Sequence, residues 1–204
     1  MLTNSSMDCS IPEAHSFRGL LVSINTLESK GFREWLFLTG MLFNARRKWW
    51  GNRGRRATPH EGLDIGIFRT ATSQPCSLAQ GAAIPAIFEG EVVKVCDDFL
   101  GKSIFLRHNT RGSGGSHLFT VYGHTQPYPC IRRSAHIAEG EVIASVAGSS
   151  TRRAVIPSHL HITLAWIADR LPMESLGWEN LGDTSAIVLI DPLPILGLPH
   201  SVAD

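Results

Sequence analysis

The chain has 204 residues, a formal net charge of +1 and 43% hydrophobic residues, values that fit a folded globular protein with one sizeable core and give no charge argument for nucleic acid. The longest apolar stretch, Trp35 to Phe43, is about nine residues, well short of the roughly 20 needed to cross a bilayer, so no transmembrane segment is expected. Cys9, Cys76, Cys96 and Cys130 lack C-x-x-C spacing, which excludes a zinc ribbon and assigns them no metal role.

From the N-terminus, a short helical turn is expected over Asn4 to Ala14, followed by strands over Leu20 to Asn25 and Trp35 to Leu38. No linker follows them, so residues 1–44 read as an N-terminal β extension packed onto the rest. The run Arg46 to Arg56, RRKWWGNRGRR, sets six basic residues around Trp49 and Trp50. Such a run can track a phosphate backbone with stacked bases, and a solvated loop explains it equally well. Because it leads directly into His60, a third reading fits better: one wall of a groove that attracts the carboxylates of an acidic peptide, with Arg152 and Arg153 on the other side.

A bend at Pro59 to Gly62 then opens a strand over Ile65 to Phe68. Further strands are expected over Ile87 to Val95, Ser103 to Arg107, Leu118 to Tyr122, Glu141 to Val146 and Leu160 to Trp166. Arg107 to Ser116, RHNTRGSGGS, reads as a flexible hairpin loop of the kind that walls a cleft, and a short helical turn is expected over Met173 to Leu181. The segment IFEGEVVKV from Ile87 recurs as IAEGEVIAS from Ile137, suggesting two similar hairpin starts with Gly at the turn and Val on the buried face. The expected fold is mainly β, with antiparallel sheets forming a sandwich or partly open barrel with duplicated β-hairpin motifs.

Two separated runs carry metal-ligand chemistry: His60 and Asp64 in HEGLD, and His159 and His161 in SHLHITLAW. In the second run Leu160, Ile162, Leu164 and Trp166 alternate with His159, His161, Thr163 and Ala165, a period of two that puts both histidines on one face of a strand. Imidazoles with one carboxylate are the ligand mix zinc takes when a position is kept for water, which makes metal-assisted hydrolysis the first reading. In HLFTVYGHTQP the same alternation places Tyr122 and His124 on one face of a strand ending at the turn-forming Thr125 to Pro127. His15, His108, His117, His136 and His200 have no neighbours that supply a metal geometry and read as solvated or hydrogen-bonded.

These motifs resemble the signature of the lysostaphin and LytM-type zinc endopeptidases that cut peptidoglycan peptides: H-x-G-x-D at His60, Gly62 and Asp64, Tyr-x-His at Tyr122 and His124, and H-L-H at His159 to His161, in that order. The similarity extends to the strand starts Gly90 to Val95 and Gly140 to Ala147 and to the Asp191-Pro192 exit. It implies a zinc metallopeptidase domain over residues 45–198 that holds one zinc ion per chain through His60, Asp64 and His161. It also implies His124 and His159 as the catalytic side chains and a peptidoglycan stem or cross-bridge peptide as substrate. Which of the two histidines is the general base stays open. Between Gly148 and His159, often Gly-rich in the family, this chain reads SSTRRAVIPS, and Thr163 stands near a position that is frequently acidic. The family's cross-bridge preferences therefore do not transfer.

Two rival classes share parts of the pattern. A non-catalytic cell-wall-binding or amidase-activator module of the same fold tends to lack some of the ligands, whereas all five positions are filled here. A duplicated β fold that carries phosphate on a histidine in sugar uptake needs one histidine and no metal, which leaves His60 and Asp64 unexplained. The resemblance implies a place in the cell envelope, periplasmic or extracellular. No basic start, apolar run and small-residue cleavage site is visible; a leader removed upstream reconciles the two, and a cytoplasmic location stays open. Oligomeric state and disulfide pairing do not follow from the sequence.

Overall fold

The computed structural model describes residues 10–148, 156–182 and 185–204. Helix α1 (His15–Ser23) occupies much of the stretch predicted as a strand over Leu20 to Asn25. Phe17 and Leu21 are both fully buried, and their spacing of four builds one apolar helical face. The β-forming tendency of Leu20 to Val22 yields to that packing. Of the helical turn expected over Asn4 to Ala14, residues 4–9 lie outside the described residues and 10–14 are not helical.

Thirteen strands follow among the described residues. They are β1 (Phe32–Leu38), β2 (Leu63–Ile65), β3 (Ile67–Thr70), β4 (Pro75–Ser77), β5 (Ala83–Pro85), β6 (Gly90–Asp97), β7 (Lys102–Gly112), β8 (Ser116–Pro127), β9 (His136–Ile137), β10 (Val142–Val146), β11 (Leu160–Ala168), β12 (Ile187–Ile190) and β13 (His200–Ala203). A small sheet has the order β13-β1-β3-β4; the large one runs β12-β11-β8-β7-β6-β9, with β2 on β11 and β10 linking β8 to β5. Pairing is antiparallel except between β1 and β13. The mainly β, antiparallel fold is as expected, and the sheets stay open.

The central strands are buried on both faces, and their period of two sorts side chains into two cores. Ile104, Leu106, Leu118, Tyr122, Leu160, Ile162 and Leu164 meet Trp35, Phe37 and Phe68 of the small sheet. Phe105, Phe119, Val121, Ala165 and Ile167 point the other way and are covered by Leu176, Leu181 and Ile187. Helix α1 is docked by Asn25, whose amide donates to the Ala83 carbonyl (2.9 Å) and whose Oδ1 accepts from the Ala83 N–H (2.7 Å). Asp191 caps helix α2 (Pro192–Leu196) by accepting from the Leu193 N–H at 3.0 Å.

Three expectations are corrected here. The two recurring segments are neighbours, Gly90 pairing with Ile137, but their glycines do different work. Gly140 turns at φ 77°, whereas a Cβ on Gly90, inside β6, would come within 2.4 Å of the Arg107 carbonyl oxygen. Second, Arg107 to Ser116 is no long loop: β7 runs to Gly112 and β8 begins at Ser116. Its turn lies roughly 25 Å from His124 along β8, by strand rise, and does not wall the site. Third, the helical segment expected over Met173 to Leu181 shrinks to a single 3₁₀ turn, Met173–Ser175.

Candidate metal centre

The register between β2 and β11 sets Asp64 directly opposite His161, so the two side chains rise together from one face. The approach is close enough that Gly62 has no room for a Cβ, which would fall 2.2 Å from the Ile162 carbonyl oxygen and 2.7 Å from His161 Nε2. That contact explains the glycine of H-x-G-x-D. His60 precedes the strand and is pinned by its own backbone: its N–H donates to the Ala45 carbonyl (3.0 Å), and its carbonyl accepts from the Asn44 N–H (2.8 Å).

Three donor atoms then converge. His60 Nε2 is 3.2 Å from His161 Nδ1 and 3.2 Å from Asp64 Oδ1, and His161 Nδ1 is 2.8 Å from Asp64 Oδ1. Tetrahedral zinc bonded at about 2.0–2.1 Å holds its donors roughly 3.3 Å apart, so two nitrogens and one carboxylate oxygen in this triangle fit the ion in both chemistry and size. Each donor is oriented from behind. His60 Nδ1–H donates to the Leu42 carbonyl (2.9 Å), freeing Nε2. Thr163 Oγ1 lies 2.9 Å from His161 Nε2, where it accepts that nitrogen's proton and frees Nδ1. The Trp49 indole N–H donates to Asp64 Oδ2 at 2.6 Å, leaving Oδ1 to face the imidazoles.

All three are almost fully buried. For Asp64, burial alone would raise the pKa, but the charges of His60 and His159 and the His161 hydrogen bond hold it well below the usual carboxylate range. Burial opposes protonation of His60, yet the facing Asp64 carboxylate raises its pKa on balance. Burial wins at His161 and lowers it.

His159, two residues before His161 on the same face, donates Nδ1–H to the Pro157 carbonyl (2.7 Å), and its Nε2 lies 3.6 Å from Asp64 Oδ1. Burial, only partly offset by Asp64, pushes its pKa down to about 4. The His124 ring sits 4.8 Å from that of His159 and 5.8 Å from that of His161, centroid to centroid. The structure thus brings together every residue that the motifs singled out as ligand or catalytic.

Tyr122 and His124 do not share a face as the alternation predicts. The β7–β8 register steps from Lys102 opposite Thr125 to Ile104 opposite Tyr122, so Gly123 and His124 face Ser103 alone, a β-bulge. His124 takes φ 61° there, left-handed backbone that costs a non-glycine residue about 1–3 kcal/mol. The extra residue swings its ring to the His161 side. Tyr122 stays in the core, its hydroxyl accepting from the Ile87 N–H at 2.7 Å.

Sequence reasoning missed Asp98, which accepts from His124 Nδ1–H (3.2 Å) and from the His124 backbone N–H (2.8 Å). Burial would raise its pKa, but these bonds and that of Ser103 hold it far below the usual range. Trp178, also missed, stacks on His124 and packs edge-on to His161. No spacing marks either residue, since each reaches the site from a loop.

A cavity of about 60 Å³ is lined by the four histidines, Asp64 and Trp178 with Trp50, Arg56, Glu61 and Phe99. The basic run therefore does border the site: Arg56 lies 3.7 Å from Asp64 Oδ2 and donates to the Gly40 carbonyl (3.1 Å), while Arg46, Arg47, Arg53 and Arg55 are exposed. Arg152 and Arg153, like Cys9, lie outside the described residues. Cys76, Cys96 and Cys130 are free thiols. His108, one of the five histidines set aside, is buried between the Glu89 carbonyl (2.7 Å) and Thr120 (2.8 Å).

The model of peptidase family M23 matches residues 58–172, more than half of the chain and inclusive of all five site residues. Comparison with curated proteins gives no match. Similar solved structures include lysostaphin (19% identity, 72% of this chain and 48% of that one, TM-score 0.45) and a zinc-containing peptidase from Vibrio cholerae (18%, 65% and 37%, TM-score 0.43). Another is the catalytic domain of a mutant of the prophage-encoded M23 protein EnpA from Enterococcus faecalis (19%, 63% and 87%, TM-score 0.38). The chain spans about half the length of lysostaphin. With the family model running from just before His60 to beyond His161, the chain belongs to peptidase family M23.

Proposed function

We propose that this chain is a zinc-dependent endopeptidase that hydrolyses peptide bonds in peptidoglycan stem or cross-bridge peptides, acting in the cell envelope. The observation that carries this reading is the convergence of His60 Nε2, Asp64 Oδ1 and His161 Nδ1 within 3.2 Å of one another, with His159 and His124 beside them. A zinc ion held by those donors supplies Lewis acidity, enough to bring the pKa of a water to about 7 and to polarise a carbonyl.

The remaining work falls to the chain's own groups. His159 keeps its proton on Nδ1, bound to the Pro157 carbonyl, so its Nε2 lone pair receives the proton of the attacking water. His124 is backed by the Asp98 carboxylate, which balances the positive charge the ring carries while Nε2 passes a proton to the leaving amine. Trp178, Phe99 and Trp50 supply an apolar lining around them. A separate cavity of about 640 Å³ is lined by Leu100, Gly101, Thr125, Tyr128 and Ala147, chain neighbours of Phe99 and His124.

Digestion of purified peptidoglycan tests this. Zinc-loaded protein releases soluble fragments whose masses identify a cut peptide bond, a chelator stops the release, and zinc restores it. Absence of peptide cleavage by fully loaded protein overturns the proposal.

A further inference from the structure

Asp98 stands at the start of the turn between β6 and β7 with its side chain 1% exposed, and one carboxylate accepts five hydrogen bonds. Oδ1 takes the Leu100 N–H (2.9 Å), the Gly101 N–H (2.8 Å) and His124 Nδ1–H (3.2 Å). Oδ2 takes the Ser103 hydroxyl (2.7 Å) and the His124 backbone N–H (2.8 Å). Every partner is a donor, and an ionised carboxylate is the side chain that offers acceptors alone. Asparagine would turn its NH₂ toward other donors whichever way it faced.

Two of the five bonds reach the same residue from different directions. At the bulge the ladder between β7 and β8 skips a step, so the His124 backbone N–H lacks a place in it; Asp98 supplies the missing acceptor and thereby supports the left-handed backbone. The bond to Nδ1 then fixes the ring on that backbone. Phe99 packs against the ring at 4.5 Å, and Trp178, stacked on it, donates its indole N–H to Ser103 Oγ (2.9 Å), which itself donates to Asp98. Backbone, ring and stacking partner are thus tied to one anion.

We propose that Asp98 is the positioning residue for His124, holding the proton on Nδ1 and the bulged backbone in place so that Nε2 is the nitrogen presented to the reaction. The proposal rests on the peptidase reading for the consequence, not for the clamp. His159 and His60, whose Nδ1 atoms face the carbonyls of Pro157 and Leu42, serve as internal references.

The test uses the full chain and separates the two layers. Long-range ¹H–¹⁵N spectra of metal-free protein at mildly alkaline pH should show His124 as the Nδ1–H tautomer. In Asp98→Asn that signature shifts toward Nε2–H while His60 and His159 keep theirs. A wild-type Nε2–H tautomer, or no change in the variant, overturns the clamp, and the wild-type spectrum decides alone if the variant does not fold.

In zinc-loaded protein, Asp98→Asn should keep full zinc occupancy and KM within about twofold. Its kcat should fall by at least tenfold, and by no more than the roughly 10²–10⁴ a proton-transfer group contributes. In a His124→Ala background the same change should cost nothing further; losses that multiply overturn the proposal. If no variant cleaves peptide at all, the endopeptidase reading fails while the spectra still decide the clamp.

Discussion

Asp64 has two oxygens with separate tasks, and the difference decides how well a metal is held. Oδ1 faces His60, His161 and His159, while Oδ2 is occupied by the Trp49 indole at 2.6 Å. Trp49→Phe keeps an aromatic ring and removes the donor, so zinc affinity should drop about 10–100-fold, as for other groups that orient a ligand; competition with a chromophoric chelator measures it, and wild-type affinity would sink the role. His60→Ala, Asp64→Ala or His161→Ala should lose most of the zinc outright. His159→Ala should keep it and lose about 10²–10⁴ in turnover, so full occupancy in His161→Ala by metal analysis would reject the assignment. His60, Asp64, His159 and His161 were legible as ligand candidates because imidazoles and a carboxylate in two compact runs are rare without a purpose, whereas the catalytic roles of His124 and His159 came from the family resemblance and not from spacing. Their supports were not: Leu42 contributes only a carbonyl, Trp49 sits in what reads as a basic loop, and Thr163 and Asp98 are ordinary polar residues until the fold places them.

Period-two alternation predicted the faces of β11 correctly because both of its faces are buried and a one-residue slip would exchange them. It failed at β8, where one bulged residue reverses the parity between Tyr122 and His124. A bulge leaves no trace in a hydrophobic pattern, and the glycine before it reads as an ordinary strand end. Leu20 to Asn25 failed for another reason: burial of Phe17 and Leu21 on one helical face overrides the β-forming tendency of Leu20 to Val22. The β8 correction makes a prediction at the level of the strand. If Tyr122 is a core residue that satisfies the Ile87 N–H, then Tyr122→Phe leaves that donor buried without an acceptor and should cost about 1–3 kcal/mol in urea unfolding. Zinc content and kcat should be unchanged. A variant of wild-type stability with impaired turnover would return Tyr122 to the site.

The whole molecule is two sheets with one core between them and a second on the far face of the larger sheet, where the candidate metal centre also lies, and the N-terminal part contributes β1 to the smaller sheet. β1 lies between β13 and β3, and Leu42, Asn44 and Ala45 fasten His60, so the boundary expected after residue 44 runs through the supports of a candidate ligand. The same connection carries the basic run to the rim of the site, where Lys48 rests over the Trp50 ring at 4.7 Å and Arg46, Arg47, Arg53 and Arg55 remain in solvent. We propose that this rim draws in the carboxylates of an acidic peptide. Exposed charges act over a Debye length, about 8 Å at physiological ionic strength and roughly 3 Å at 1 M salt, so a role in capture differs measurably from a role in chemistry. Raising salt from about 0.05 M to about 0.5 M should raise KM several-fold for an acidic peptide and leave kcat alone. Arg46→Ala combined with Arg53→Ala should start from the higher KM and respond less to salt, because the charges that salt would screen are already gone. Equal salt dependence in the variant and the wild type, or a KM that ignores salt altogether, would remove the rim from substrate capture and leave Arg56, held at 3.7 Å from Asp64, as the one cation of the run with work at the site.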